Sequence, residues 1–145
     1  MLFRSHESDQ GFQLEYPAGK VLYKTAGYIS EPRISPSGDK IAFLDHPASN
    51  NNAGGVVIIG RDGQKQTLAS GYASSGGVAW TPKGDEIWFS AAKVGGRQDL
   101  WAVNLSGKVR LVYTQSVGVV LHDISKDGRV LMSNQIGRAS CRERV

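Results

Sequence analysis

Three histidines, one cysteine and one serine-rich stretch are the residues through which this sequence of 145 amino acids could make or break bonds. His6, His46 and His122 are scattered, and none has a second ligand two residues along a strand or four along a helix, so zinc-type spacing is absent. Asp45-His46 and His122-Asp123 are adjacent pairs whose side chains leave a strand on opposite faces, which predicts surface or hydrogen-bonded histidines. Gly71-Tyr72-Ala73-Ser74-Ser75-Gly76 comes nearest to a Gly-x-Ser-x-Gly nucleophile elbow and fails on spacing. Neither a Walker-type phosphate loop nor a Gly-x-Gly-x-x-Gly is present. The expectation is a chain with no catalytic residue, no metal site and no cofactor.

The cysteine, Cys141, lies in a stretch that departs from the rest of the chain. Residues 136–145 hold three arginines and one glutamate, +2 of the formal net charge of +4. They match the in-frame translation of a common sequencing adapter, which predicts a natural sequence ending near Gln135. Subtracting them from 17 basic and 13 acidic residues leaves 14 and 12, a near-neutral body that argues against a nucleic-acid partner. The body then has no cysteine and no disulfide framework. Its longest apolar runs, around Val56 to Ile59 and Val117 to Leu121, are far too short for a helical membrane span.

Whatever function the body has must rest on its elements, and those repeat. Gly19, Gly63 and Gly107 recur at a 44-residue period, and a second motif interleaves with them: Ile34-Ser35-Pro36-Ser37-Gly38-Asp39-Lys40-Ile41-Ala42-Phe43, then Trp80-Thr81-Pro82-Lys83-Gly84-Asp85-Glu86-Ile87-Trp88-Phe89, then Ile124-Ser125-Lys126-Asp127-Gly128-Arg129-Val130-Leu131. Proline at a turn's first central position and glycine at its positive-φ position make each a hairpin turn. A period of this length is that of a four-stranded propeller blade, which buries its faces only against its neighbours. The 18 glycines suit such a chain. Twelve strands are predicted, most of them short, and half are apolar on both faces, as strands between two sheets must be. The prediction is an all-β, incomplete β-propeller of about three blade equivalents. It divides into an N-terminal flank (1–11), a half blade (12–25), two blades (31–69 and 77–113) and a half blade (119–133). Closing a propeller takes at least about four blades, so a truncated chain is expected.

The signature hairpins resemble those of the TolB-like, WD-repeat-like bacterial β-propellers. The first two copies match closely; the third has Lys126 in place of proline and one residue fewer after Gly128. The resemblance covers nearly all of residues 12 to 135 and speaks to fold far more than to function. It implies a periplasmic or extracytoplasmic scaffold, or the sensor of a bacterial serine/threonine kinase, to which the Asp45-His46-Pro47 loop is similar. Alternatively it implies the propeller of a prolyl-oligopeptidase-like hydrolase whose catalytic domain lies outside this chain.

In such a blade the signature turns emerge on one face and the longer, variable connections on the other. Loops on a rigid scaffold are where recognition concentrates. The candidates for contact with a protein or small ligand are therefore Tyr28, Asp45, His46, Tyr72 and Arg97, beside the missing blades of the parent chain as an intramolecular partner. Trp80, Trp88 and Trp101 fall in one blade and are expected to fill its core rather than form an aromatic platform.

Overall fold

The computed structural model describes residues 4–9 and 11–135; the stretch 136–145, with Cys141, lies outside them. Four antiparallel sheets follow one another along the chain. The first contains β1 (Arg4–Ser8), β2 (Gly11–Glu15) and β3 (Val21–Thr25). The second contains β4 (Tyr28–Ile34), β5 (Lys40–His46), β6 (Gly54–Gly60) and β7 (Lys65–Tyr72). The third is formed by β8 (Ser74–Trp80), β9 (Glu86–Ala92), β10 (Asp99–Asn104) and β11 (Val109–Tyr113), and the last by the hairpin β12 (Val119–Ile124) with β13 (Val130–Asn134). Each four-stranded sheet is ordered as in the sequence, so the chain meanders outward through a complete blade twice. The chain is an all-β, partial β-propeller.

Strand alternation explains how the blades cohere. Along β5, Ile41 and Phe43 enter a core shared with Leu14 and Tyr16 of the first sheet. Ala42 and Leu44, pointing the other way, join Val78, Trp80, Ile87 and Phe89 of the next blade. On β6 the pair Val57 and Ile59 serves the first core and Val56 and Ile58 the second. A third cluster joins Leu100 to Val119 and Leu121 of the final hairpin. Double-sided apolar strands thus make two interfaces each, and each fully buried aliphatic or aromatic side chain contributes about 1.5–3 kcal/mol.

The signature turns close alike. The amide of Gly38 donates to Ser35 O at 2.8 Å, that of Gly84 to Thr81 O at 2.9 Å and that of Gly128 to Ser125 O at 2.9 Å. The third turn lacks proline yet keeps this geometry. Its missing residue shows only in the closing bond, Ser125 N to Arg129 O, one position shorter than Ser35 N to Lys40 O.

The flank differs from expectation, since β1 is a strand that brings the total among the described residues to thirteen. Its sequence, Arg-Ser-His-Glu-Ser, has no apolar alternation, so nothing in the pattern marks it. What holds it is its ladder to β2 and the buried carboxylate of Glu15. Arg4 reaches Oε2 of Glu15 at 2.7 Å, the Gly19 amide donates to the same oxygen at 2.8 Å, and His6 Nε2 and Gln13 Nε2 lie 3.0 and 2.8 Å from Oε1. Those partners, the His6 hydrogen bond foremost, hold the Glu15 carboxyl down at about 2. A carboxylate depressed in the folded state stabilises the fold fully above its unfolded value, and that stability drains away as pH falls toward about 2. Glu15→Gln is therefore expected to lower the melting temperature at neutral pH and to converge on the parent as pH drops below the ordinary glutamate range; a gap that is constant with pH contradicts this.

Each innermost strand is bulged: β4 between Ser30 and Arg33, β8 between Gly76 and Val78, β12 between Leu121 and Asp123. Glu31 and Gly77 stand at the same position, three residues before the signature, and both have positive φ, 53° and 84°. In blade two a glycine meets the requirement; in blade one a glutamate preceding a proline does, which is strained on both counts. Relief of about 1–3 kcal/mol of strain exceeds the half-exposed Glu31–Arg33 ion pair and the entropy of a glycine. Glu31→Gly is expected to raise stability by about 1 kcal/mol, read as a higher melting temperature; a fall would show that the carboxylate carries the site.

Candidate functional site

The longer connections gather at the ends of the strands opposite the signature turns, but the five candidate residues are less loop-like than expected. Four lie within strands, because β4, β5 and β7 run to Tyr28, His46 and Tyr72. The structure brings them together in two pairs and leaves Arg97 apart.

The first pair is Tyr28 and His46, whose rings stack at 4.0 Å and 5°. His46 is 1% exposed, behind the Tyr28 ring, and so is removed from direct contact. Its Nδ1 lies 3.1 Å from the Ala53 carbonyl, an acceptor only, so Nδ1 carries the proton and Nε2 accepts from the Ser30 hydroxyl at 2.7 Å. Burial pushes the imidazole pKa down, which favours this neutral form. The Tyr28 hydroxyl lies 3.0 Å from both Asn51 O and Asn52 Oδ1 and ties the start of β4 to the loop between β5 and β6. Gly54 packs so closely that a Cβ there would sit 2.8 Å from His46 Nδ1.

The second pair, Asp45 and Tyr72, lines a cavity of about 320 Å³ together with Pro47, Gly55, Thr67 and Gly71. Asp45 Oδ2 accepts from Tyr23 Oη at 2.6 Å, and Lys65 Nζ stands 3.8 Å away. Oδ1 is buried, with no hydrogen-bond partner among the described residues. Burial and the adjacent Asp45 raise the Tyr23 phenol. Tyr72 is also buried, meeting Phe89 edge-on at 5.3 Å and Trp101 at 5.9 Å, so it belongs to the blade core as much as to the cavity wall.

Arg97 stands one blade further on, exposed, donating to Gln115 O at 2.7 Å and pairing with Asp99 at 3.3 Å. The tryptophans do not form one surface. Trp80 and Trp101 pack toward the blade-one core, whereas Trp88 packs toward the final hairpin. Among the described residues no group of three His, Cys, Asp or Glu is placed to hold a metal ion.

Two residues on this face escaped the sequence reading. The Asn52 carbonyl accepts the Ser75 amide of the next blade at 3.0 Å, and the Gln98 carbonyl accepts the Val119 amide of the blade after at 2.8 Å. The Gln98 side chain also donates to Ser74 Oγ at 2.9 Å. The available signal was an amide residue just ahead of β6 and of β10, blurred by loops of unequal length.

No family model matches the chain, and no curated protein does. Solved structures do. TolB from Acinetobacter baumannii aligns with a TM-score of 0.67 at 14% identity, over 89% of this chain and 33% of that one. A putative TolB from Agrobacterium tumefaciens aligns at 0.70 and 18% identity, over 92% and 50%. A prolyl endopeptidase aligns at 0.62 and 17% identity, over 83% and 22%. The chain thus spans between a third and a half of the TolB structures it matches. At these identities the likeness concerns the fold, and in fold this chain is a partial propeller resembling that of TolB.

Proposed function

We propose that the chain is a non-catalytic binding module that presents the face carrying Tyr28, Asp45 and Arg97 to a protein or small-ligand partner, with His46 and Tyr72 setting that face from behind. One observation carries the reading: a stacked, hydrogen-bonded Tyr28–His46–Asn52 unit fixes the loop between β5 and β6 beside a cavity lined by Asp45 and Tyr72. Preordered loops lose little entropy on binding. A scaffold of the TolB-like kind and the sensor of a bacterial serine/threonine kinase both fit such a face. The prolyl endopeptidase likeness keeps a propeller that screens a catalytic domain as the second reading.

A photo-crosslinking residue at Tyr28, with a second at the exposed Lys108 in the turn between β10 and β11 on the opposite face as control, separates binding by the proposed face from binding elsewhere. Adducts from Tyr28 and none from Lys108 are expected. Equal yields from both, or adducts from Lys108 alone, would overturn the assignment.

A further inference from the structure

A cavity of about 460 Å³ opens on the opposite face, where β4, β8 and β12 run into their signature turns. Its apolar lining includes Pro36, Pro82 and the edge of the otherwise buried Trp80, and its polar lining includes Arg33, Asp123 and Lys126. The wall is fixed in place. The Trp80 indole N–H donates to the Arg33 carbonyl at 2.9 Å, and Pro36 lies against the second turn, where a Cβ on Gly84 would sit 3.4 Å from its ring. The third wall breaks the repeat: where the first two copies place proline, this one places Lys126, a cation with no ion-pair partner among the described residues. Arg33 is half-exposed and held by Glu31 Oε2 at 3.1 Å, from the same strained residue that occupies a glycine position. Arg33 and Lys126 outnumber the single acid Asp123, whose Oδ1 accepts the Ile124 amide.

We propose that this cavity binds an aromatic carboxylate of amino-acid size, its ring on the Trp80–proline wall and its carboxylate toward Lys126 and Arg33. The volume falls within the range of small-ligand sites, and a lining of two prolines and an indole edge suits an aromatic group. Two cations against one carboxylate in the lining favour an anionic ligand over a neutral one. Because Arg33 and Glu31 are both part-exposed, Arg33 can turn from Glu31 to a ligand carboxylate while water solvates the released Glu31.

The Trp80 indole N–H is a reporter inside the site. In ¹⁵N-labelled full chain, its resonance, assigned by its loss in Trp80→Phe, is followed during titration with N-acetylphenylalanine, with N-acetylphenylalaninamide and with N-acetylglycine. A saturable shift with the first is expected, with binding about fivefold weaker for the uncharged amide and for the ringless acid. Lys126→Ala, at an exposed turn position, should weaken N-acetylphenylalanine by a similar factor, and Arg97→Ala on the far face should not change it. Equal binding of acid and amide, an unmoved Trp80 resonance, or indifference to Lys126→Ala overturns the proposal. None of these outcomes bears on the Tyr28 face.

Discussion

Phe89→Ala is expected to cost about 3–5 kcal/mol, the loss of a large buried aromatic with partial collapse of the cavity left behind. Phe89 is 1% exposed and lies in the cluster joining the two complete blades, with Tyr72 edge-on against it. Urea unfolding should show a lower midpoint at unchanged slope. Leu131→Ala is the matched control: Leu131 is 61% exposed, and its truncation should stay within about 0.5 kcal/mol. Similar costs for the two would mean that blade-to-blade packing does not hold the chain together.

Gly77→Val should be as damaging, by a different route. A Cβ at this position would meet the Leu121 carbonyl oxygen at 2.2 Å and Ser90 Oγ at 2.9 Å, and the residue sits at φ +84°. The Leu121 carbonyl is backbone of the next inner strand, so it cannot swing aside as a side chain could. Strain of about 1–3 kcal/mol and overpacking of similar size add, and the final hairpin is what must move. Hydrogen exchange is the measurement: amides of β12 and β13 should lose protection while those of β5 and β6 keep it. Uniform loss over all sheets, or none, contradicts the assignment. The expected sign is opposite to that of Glu31→Gly at the equivalent position one blade earlier, so the two variants together test the strain argument.

The fold was legible because its punctuation is chemical. The turn glycines and prolines mark hairpins by backbone conformation, and the double-sided apolar runs at Ile41 to Leu44 and Val56 to Ile59 require a sheet on each side. β1 was not legible, since its polar residues are held by one buried carboxylate and a ladder, neither of which leaves a period. The extension of β4, β5 and β7 into supposed loops was hidden by the same cause, because polar strand ends such as Asp45 and His46 pair through backbone atoms, here with Ile29 and Tyr28. The left-handed backbone at Glu31 contradicts the preferences of its own side chain and of the proline after it, and it exists because the bulge against β5 demands it. For the candidate site, residue type identified Tyr28 and Arg97 as able to reach outward. It could not reveal that His46 and Tyr72 are buried, a property set by which way β5 and β7 turn their last side chains.

The carbonyls of Asn52 and Gln98 have a consequence for how this face can diversify. Each is spent on the following blade, so it helps fix the angular step from one sheet to the next beside the packed cores. The residues ahead of Asn52, from Pro47 to Asn51, take no part in that step. Their sequence and length are thereby uncoupled from the pitch of the ring, and new tips can be exchanged onto an unchanged wheel.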